Sequence, residues 1–499
     1  MTVTNNLQQK THKTNDTTVS KSNGNNSDTV LFLSSALLDD RKLLYTECLN
    51  ILSKTSQVKV WATSARTEKY RAFWDAAPAT VEEFPKVEPF KEFPYNYLRR
   101  LNEFAWDFKL RPPSRFSMMK HIRDKNQKAH IRALKLPARA IATIGAEKHL
   151  ENWLSEWLPT YERSVEAVQR LKDNPPAVMI ATGPNRFEEP ALVATAKNLG
   201  IPTLAMIHSW DNISTKNRMV FNYDGYLVWS EQMKKELHQF YPKSRKSPVY
   251  VVGAAQFDVF FQKRFRQTRE EFCALQGLDH RKPIIVYALG SPNLIREHYG
   301  AIFMAEKVVK GELGDVQLVV RPHPQFDNGI EAETLRGFGA NVVVQKTGNA
   351  GIPLADRFQD ESQISEWVNT FRHADVVVNL SSTVAVDAAI FDRPIVNLDY
   401  DPEPGQPNQE LVKDINHLWT HFKPIAESGG VWLVNNPEEK IKAVKTYLKN
   451  PTLHKAKRRW IAEYVCGFLD GKCGERIARA IEDFTQNKNN LPKFPINEI

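Results

Sequence analysis

Residues 376–400 read VVVNLSSTVAVDAAIFDRPIVNLDY, and the order of residue types in that stretch decides the fold. The apolar run 376–378 stops at three hydroxyls, Ser381, Ser382 and Thr383, which open an Ala/Val-rich segment. That segment ends at Phe391-Asp392-Arg393-Pro394, and a second apolar run, 395–398, follows. Strand, tight turn, helix and strand at this spacing make a parallel βαβ unit. The hydroxyls fall at the helix start, where unpaired backbone N–H groups and the helix dipole favour an anion. Upstream, the apolar run 318–320 leads straight into Arg321-Pro322-His323-Pro324. Two strand ends in one half of the chain thus carry chemistry suited to phosphate, which points to a nucleotide-linked substrate.

The same alternation extends in both directions. In the second half, strands are expected at 284–288, 317–320, 341–344, 376–378, 395–398 and 431–434, with helices at 268–278, 299–310, 363–373 and 383–391 and a helical end over 437–483. In the first half, strands are expected at 30–34, 58–62, 178–181, 203–207, 225–229 and 250–252, with helices at 41–52, 188–199 and 231–240. Between them lies an insertion over about 67–172: a Pro- and Glu-interrupted, loop-rich part to residue 94, then helices at 97–110, after 115 and at 153–171. Two runs of strand–helix alternation imply two doubly wound α/β domains, 29–257 and 258–435, after a leader 1–28 and before C-terminal helices 436–499. Ligands of such sheets sit beyond the carboxyl ends of the strands, so the residues just after each strand matter most.

A chain of 499 residues, 42% apolar and 25% charged, exceeds one ordinary core and has the composition of a globular protein. It contains no run of about 18 uncharged apolar residues, which excludes a transmembrane helix. The Asn/Thr/Ser/Lys-rich start lacks the apolar core of a secretory signal and reads as disordered. Cys48, Cys273, Cys466 and Cys473 have no metal-like spacing, which fits a reduced, cytoplasmic chain. Lys and Arg outnumber Asp and Glu by 67 to 58. Arg111, Arg115, Lys120, Arg123, Lys125, Lys128, Arg132, Lys135 and Arg139, with His121 and His130, face the single acid Asp124. Such a patch suits an anionic membrane surface, here the inner face of the plasma membrane, or an acidic acceptor. A solvated helix face is the plainer reading. Nucleic acid is disfavoured, because no recognised binding module accompanies the charge.

Three strand ends of the second half carry candidate ligands. Gly290-Ser291-Pro292 offers turn amides and a hydroxyl. In Arg321-Pro322-His323-Pro324 the prolines fix the backbone that presents Arg321, a charge-assisted fork for phosphate, and His323. Ser381-Ser382-Thr383 exceeds the single hydroxyl that a helix cap needs, and Asp387, one turn on, is placed to accept from ribose hydroxyls. In the first half, the strand 203–207 runs into His208-Ser209-Trp210-Asp211-Asn212-Ile213-Ser214-Thr215-Lys216-Asn217-Arg218. His208 is the candidate general base, since its intrinsic pKa lies near neutrality and it emerges at the cleft. Asp211 is placed to orient it or act in its stead, and Lys216 and Arg218 to bind an acceptor phosphate. Thr182-Gly183-Pro184-Asn185-Arg186 forms a neighbouring wall. For each motif an ordinary turn, cap or polar loop is the competing reading.

The two-domain layout, the Arg321-Pro322-His323-Pro324 turn, the Ser381-Ser382-Thr383 helix start and the Asp392-Arg393-Pro394 exit resemble the GT-B superfamily of nucleotide-sugar glycosyltransferases. The nearer likeness is to CDP-glycerol glycerophosphotransferases and related surface-carbohydrate enzymes; UDP-N-acetylglucosamine 2-epimerases are more distantly similar. The resemblance covers about 178–434. In glycerophosphotransferases a first-domain His in a Trp-His-Gly-Thr-Pro context, with a Lys downstream, is taken as the base. His208 and Lys216 occupy similar places, but this chain reads Ser209-Trp210-Asp211 where Gly-Thr-Pro would stand, so its acceptor chemistry departs from that pattern. His323-Pro324 and Ser381-Ser382 also resemble the donor-phosphate motifs of a group of sialyltransferases. The resemblance implies two Rossmann-like domains facing across a cleft. It implies a transferase whose second domain grips a nucleotide-activated sugar or glycerol donor through Ser291, Arg321, His323, Ser381, Ser382 and Thr383, with Asp387 on the ribose. His208 would activate a carbohydrate or lipid-linked acceptor. No cofactor is expected, and no metal ion: Asp399-Tyr400-Asp401 is the one pair of carboxylates that invites one, and nearby basic groups serve the diphosphate unaided. A 2-epimerase, or a non-catalytic carbohydrate-assembly protein of the same fold, remains the alternative.

Overall fold

A parallel strand covered by helices on both faces reads as a short, unbroken apolar run, and most strands of this chain do. The structure, a computed structural model, describes residues 28–88, 91, 93–123, 127–160, 163–292, 294–323, 334–346 and 359–487. The expected leader, apart from Asp28, lies outside the described residues, as do Asp124, Lys125 and Pro324.

Among the described residues two all-parallel sheets form. The first contains β1 (Thr29–Ser34), β2 (Gln57–Ala62), β3 (Thr80–Glu83), β4 (Val178–Ala181), β5 (Thr203–Met206), β6 (Gly225–Val228) and β7 (Val249–Val251), in the order β3-β2-β1-β4-β5-β6-β7. The second contains β8 (Ile284–Ala288), β9 (Gln317–Arg321), β10 (Val342–Val344), β11 (Val376–Asn379), β12 (Ile395–Leu398) and β13 (Trp432–Val434), in the order β10-β9-β8-β11-β12-β13. In each sheet the order reverses beside the first strand, and the crevice at such a switch point is where ligands bind. Leu33 pairs with Ala181 and Ala181 with Ala205, so β1, β4 and β5 finish level. Val378 pairs with Tyr287 and Tyr287 with Val320, so β11, β8 and β9 finish level too. The architecture is α/β of GT-B type.

Helix α1 (Leu37–Leu44) follows β1 directly. The insertion carries α2 (Tyr95–Leu110), α3 (Lys135–Ile144) and α4 (Glu147–Trp157), with a small core of Phe104, Ala105, Met119, Ile131 and Ala138. In the second lobe, α5 (His298–Val309) follows β8, α6 (Glu361–His373) precedes β11, α7 (Val384–Ile390) joins β11 to β12, and α8 (Gln409–His417) follows β12. A capping box between Asp360 and Gln363 fixes the start of α6. Helices α9 (Lys455–Cys466) and α10 (Cys473–Gln486) end the described chain.

Two features depart from the sequence reading. The part expected to be loop-rich contains β3, which pairs with β2 through Lys59 and Thr80; its TVEE sequence is polar because it is a half-exposed edge. Helix α10 returns to the first lobe, where Ile477, Ile481 and Phe484 pack with Val30, Phe32 and Leu204. Gly225 is required beneath it, because a Cβ there would stand 2.9 Å from the Phe484 ring and 2.6 Å from Leu204. A single buried apolar cluster crosses between the lobes. Within it the Phe260 ring lies 4.6 Å from that of Trp367 and 4.8 Å from that of Phe391. No helix among the described residues is long and apolar enough to cross a membrane.

Candidate active site

The level ends of β1, β4 and β5 bring together residues far apart in sequence. Asp39, on α1, has a fully buried carboxylate that meets His208 Nδ1 at 2.6 Å, Lys42 Nζ at 3.3 Å and Arg186. Burial alone would raise its pKa, but Arg186, His208 and Lys42 outweigh it and hold the carboxyl well below its usual range. Burial, reinforced by Lys42, pushes His208 down to about 4, so the ring is neutral at pH 7. The His208 side chain nevertheless keeps 29% of its surface exposed, where Asp39 behind it keeps none. Lys42 is lowered by burial to about 8, and its Nζ also lies 2.5 Å from His208 Nδ1.

Two more acids are buried behind this group. Asp40 accepts from Ser34 Oγ at 2.5 Å, and burial raises it to about 7. Glu189 accepts from the Gly183 N–H at 2.6 Å and from Ser35 Oγ at 2.5 Å, and burial raises it to about 7. Sequence reasoning singled out Arg186 in the wall after β4, but not Asp39, Lys42 or Glu189. The available signal was the charged run Asp39-Asp40-Arg41-Lys42 standing just beyond a buried strand.

The loop after β5 distributes its residues differently from expectation. Asp211 bonds Thr215 Oγ1 at 3.1 Å and lies 3.8 Å from Lys216 Nζ. Burial would raise Asp211, yet Lys216 and His421 hold it at about 2. The partner that orients His208 is therefore Asp39 and not Asp211. Lys216 is exposed beside the loop. Arg218 is buried: it donates to Glu151 at 2.9 Å and to the Phe240 carbonyl at 2.7 Å, and stacks on Trp106 and Tyr241. Its guanidinium is committed to holding the helical insertion and does not reach the cleft. Trp210 does cross between the lobes. Its indole N–H donates to Thr383 Oγ1 at 3.3 Å, and its ring meets that of His421 edge-on at 4.9 Å.

In the second lobe, Asn379 organises the turn after β11. Its Oδ1 accepts from the Ser382 N–H at 3.2 Å, while Ser382 Oγ accepts from the Val384 N–H at 3.3 Å in a local turn just before α7. Ser381 takes a left-handed φ of 38°, uncommon outside glycine, and its hydroxyl donates to Asn416. Arg321 donates to Gln345 at 2.8 Å and Glu366 at 3.1 Å. Asp387 accepts from the Trp367 indole at 3.3 Å, and burial raises it to about 7 against the pull of Arg321 and Arg41. Arg41, from α1 of the other lobe, lies over the same Trp367 ring at 4.7 Å. The two lobes therefore share one polar cluster around Trp367.

His323 lines a separate cleft with Leu289, Gly290, Pro292, Glu297 and His298. Ser291 stands in the loop beside it, its carbonyl accepting from the Leu294 N–H at 2.9 Å. Glu297, raised by burial to about 8, accepts from the Gly290 N–H at 2.5 Å and from the Leu380 N–H, and so ties the turns after β8 and β11 together. His323 and Ser382 follow strands two places apart, about 10 Å at ordinary strand spacing. Asp399 accepts from Lys413 at 2.6 Å and Asn416 at 2.9 Å, and Asp401 from the N–H groups of Asn408 at 2.7 Å and Glu403 at 3.0 Å. Both carboxylates of that pair are thus already bonded within the protein.

The basic stretch divides into parts. Arg115 is buried against Asp107 at 2.7 Å and donates to the Ile213 carbonyl at 3.2 Å, Arg123 donates to the Thr215 carbonyl at 2.8 Å, and His121 bonds Asp414 of α8 at 3.0 Å. Those three fasten the insertion to both lobes. Lys128, Arg132 and Arg139 are exposed.

Comparison with known proteins agrees with this architecture. No curated protein sequence matches the chain. A protein of Listeria monocytogenes described as a UDP-N-acetylglucosamine 2-epimerase is 14% identical, with a TM-score of 0.53 over 94% of this chain and 99% of its own. The UDP-GlcNAc 2-epimerase of Neisseria meningitidis, solved bound to UDP-GlcNAc, is 13% identical with a TM-score of 0.51 over 91% and 100%. The wall teichoic acid polymerase TagF is 11% identical with a TM-score of 0.49 over 93% and 90%. At these identities the likeness is one of fold. Residues 195–483 match the sequence model of the family described as CDP-Glycerol:Poly(glycerophosphate) glycerophosphotransferase. That match takes in β5, His208, the Trp210 bridge and the whole second lobe, more than half of the chain, and the protein belongs to this family of transferases.

Proposed function

We propose that this enzyme transfers a glycerophosphate unit from a CDP-glycerol-type donor to a hydroxyl of a carbohydrate or lipid-linked acceptor in surface-polymer synthesis, with His208 as the general base. The observation that carries the reading is the buried Asp39 carboxylate 2.6 Å from His208 Nδ1, with Trp210, two residues on, bonded to Thr383 of the donor lobe. In the form that carries hydrogen on Nδ1 and donates it to Asp39, Nε2 has the lone pair that takes the acceptor proton. The freed oxygen bonds to the donor phosphorus, and the electron pair of the broken P–O bond leaves with the nucleoside monophosphate. Hydroxyls of Ser382 and Thr383 and the cations Arg321 and Arg41 offset charge on the leaving group. Asp387 serves the ribose, and Ser381 shapes the turn. Ser291, one strand spacing away, and His323, two away, meet the far end of the nucleotide, so the donor lies across three strand ends. Lys216 stands on the acceptor side with Asp211.

The acceptor arrives in this reading at an anionic membrane, and α3 is the surface that meets it. Leu136, Ala140 and Ile144 recur at every fourth position on its outer side, with Leu136 72% and Ile144 76% exposed. Lys128, Arg132 and Arg139 flank them, and no acid stands between Asp124 and Glu147. An apolar stripe with cations and no acid in its segment complements anionic lipid headgroups.

Incubation with CDP-glycerol should release CMP only when a glycerophosphate-primed acceptor is present. A second reading, a nucleotide-sugar 2-epimerase, draws on Asp40 and Glu189, buried acids beside the site. Inversion of UDP-N-acetylglucosamine without any acceptor would favour it and overturn the first.

A further inference from the structure

Two partners compete for one nitrogen. Asp39 Oδ1 lies 2.6 Å and Lys42 Nζ 2.5 Å from His208 Nδ1. A neutral imidazole carries hydrogen on one nitrogen and a lone pair on the other. With hydrogen on Nδ1 the ring donates to Asp39, and Nε2 is a base. With the Lys42 ammonium donating into Nδ1, the hydrogen must sit on Nε2, and the ring offers the acceptor an N–H instead. The two contacts therefore describe two different protonation forms.

Ion pairing alone does not explain why Lys42 stands there. Asp39 already has Arg186 as a counter-charge, and Lys42 lies nearer to the ring nitrogen than to the carboxylate, 2.5 Å against 3.3 Å. The lysine is buried, and the hydroxyl of Thr46, just beyond the end of α1, donates to its carbonyl at 2.7 Å. Its Nζ reaches both His208 and Asp39 from one backbone position. The charged groups facing the ring are Asp39 and Lys42 from α1 and Arg186 from the turn after β4. Glu189 lies behind Arg186, engaged with Gly183 and Ser35. Among these, Lys42 is the group whose proton can reach Nδ1.

We propose that Lys42 is a positioning residue that selects which nitrogen of His208 carries the hydrogen, and so whether His208 is ready to act as a base. This rests on the assignment of His208 as the base. When the Lys42 ammonium hands a proton to Nδ1 and Nε2 releases one to solvent, Lys42 is left neutral and Nδ1–H points at Asp39. One proton is lost overall, and the lone pair now stands on Nε2.

Full-length protein carrying ¹⁵N-labelled histidine tests this, with the His208 resonances identified by their loss in His208→Asn. At pH 7 the wild type should show the Nε2–H pattern, and Lys42→Met the Nδ1–H pattern. Lys42→Arg, which keeps a cation, should resemble the wild type. Raising the pH of the wild type itself through about 8, where Lys42 loses its proton, should convert the first pattern into the second, which keeps the test valid if Lys42→Met does not fold. The kcat profile should rise over the same interval and be flat there in Lys42→Met. A His208 pattern indifferent to both Lys42→Met and pH would overturn the proposal. If the pattern shifts as expected while His208→Ala transfers normally, the assignment of His208 as base fails and the inference about its hydrogen stands.

Discussion

Asp39 is surrounded by three cationic or hydrogen-bearing groups, and removing it leaves the buried Lys42 with no ion-pair partner among the described residues and Arg186 with Glu189, 3.9 Å away. Breaking one side of such a cluster costs about 3–5 kcal/mol, so Asp39→Ala should lower the urea midpoint far more than His208→Ala, whose ring is neutral. The histidines set a pH dependence. Unfolded imidazoles take up protons near pH 6.5, whereas burial holds His208 and His421 to about 4. Between those values the unfolded chain binds more protons, so stability falls as pH falls, by on the order of 1–3 kcal/mol per ring. Asp39 acts lower: its depressed carboxyl stabilises the fold above the unfolded value, and that contribution is lost as pH drops through the folded one. Urea midpoints at pH 7 and pH 5 should differ less in a His208→Ala, His421→Ala double variant than in the wild type; equal differences would refute the assignment.

At the scale of elements, α3 carries a prediction of its own. Burying Leu136 and Ile144 in a lipid interface is worth about 1.5–3 kcal/mol each, and each nearby cation adds about 1 kcal/mol on an anionic surface. Sedimentation with phosphatidylglycerol vesicles should therefore fall at least tenfold in Leu136→Glu, Ile144→Glu, and binding to neutral phosphatidylcholine should be weak throughout. Undiminished binding by the double variant would remove α3 from the interface, and self-association of the wild type that the variant abolishes would assign the stripe to a second copy of the chain. Which elements were legible follows from what surrounds them. β8, β11 and β12 are apolar but for one buried asparagine in each of the last two, because helices cover both faces, and period and length sufficed to place them. β3 escaped because an exposed edge tolerates TVEE. The end of β5 and the turn after β11 were legible as dense polar clusters directly after strands. The Asp39–His208 pair was not, since it joins α1 to the loop after β5 across 169 residues, and nothing local in either segment names the other. Arg218 was misread for the related reason that stacking on Trp106 and Tyr241 is a tertiary fact.

Across the whole molecule, the proposed transfer needs the first-lobe base and the second-lobe donor groups in one place, and beside the site two side chains reach across. Trp210 reaches Thr383 and His421, and Arg41 reaches Trp367 beside Asp387. Trp210→Ala should cost about 3–5 kcal/mol, as large-to-small changes at buried aromatics do, and should enlarge the radius of gyration in solution scattering as the lobes part; an unchanged radius would show that the apolar contact through Phe260 and Phe391 holds them unaided. The central claim is that His208 takes the acceptor proton while the other lobe holds the donor. Single-turnover transfer from labelled CDP-glycerol, measured together with donor affinity in wild type and His208→Ala, tests it most directly. Donor affinity should stay within about threefold while transfer falls about 10²–10⁴-fold; transfer at the wild-type rate by a variant that binds donor normally would contradict it.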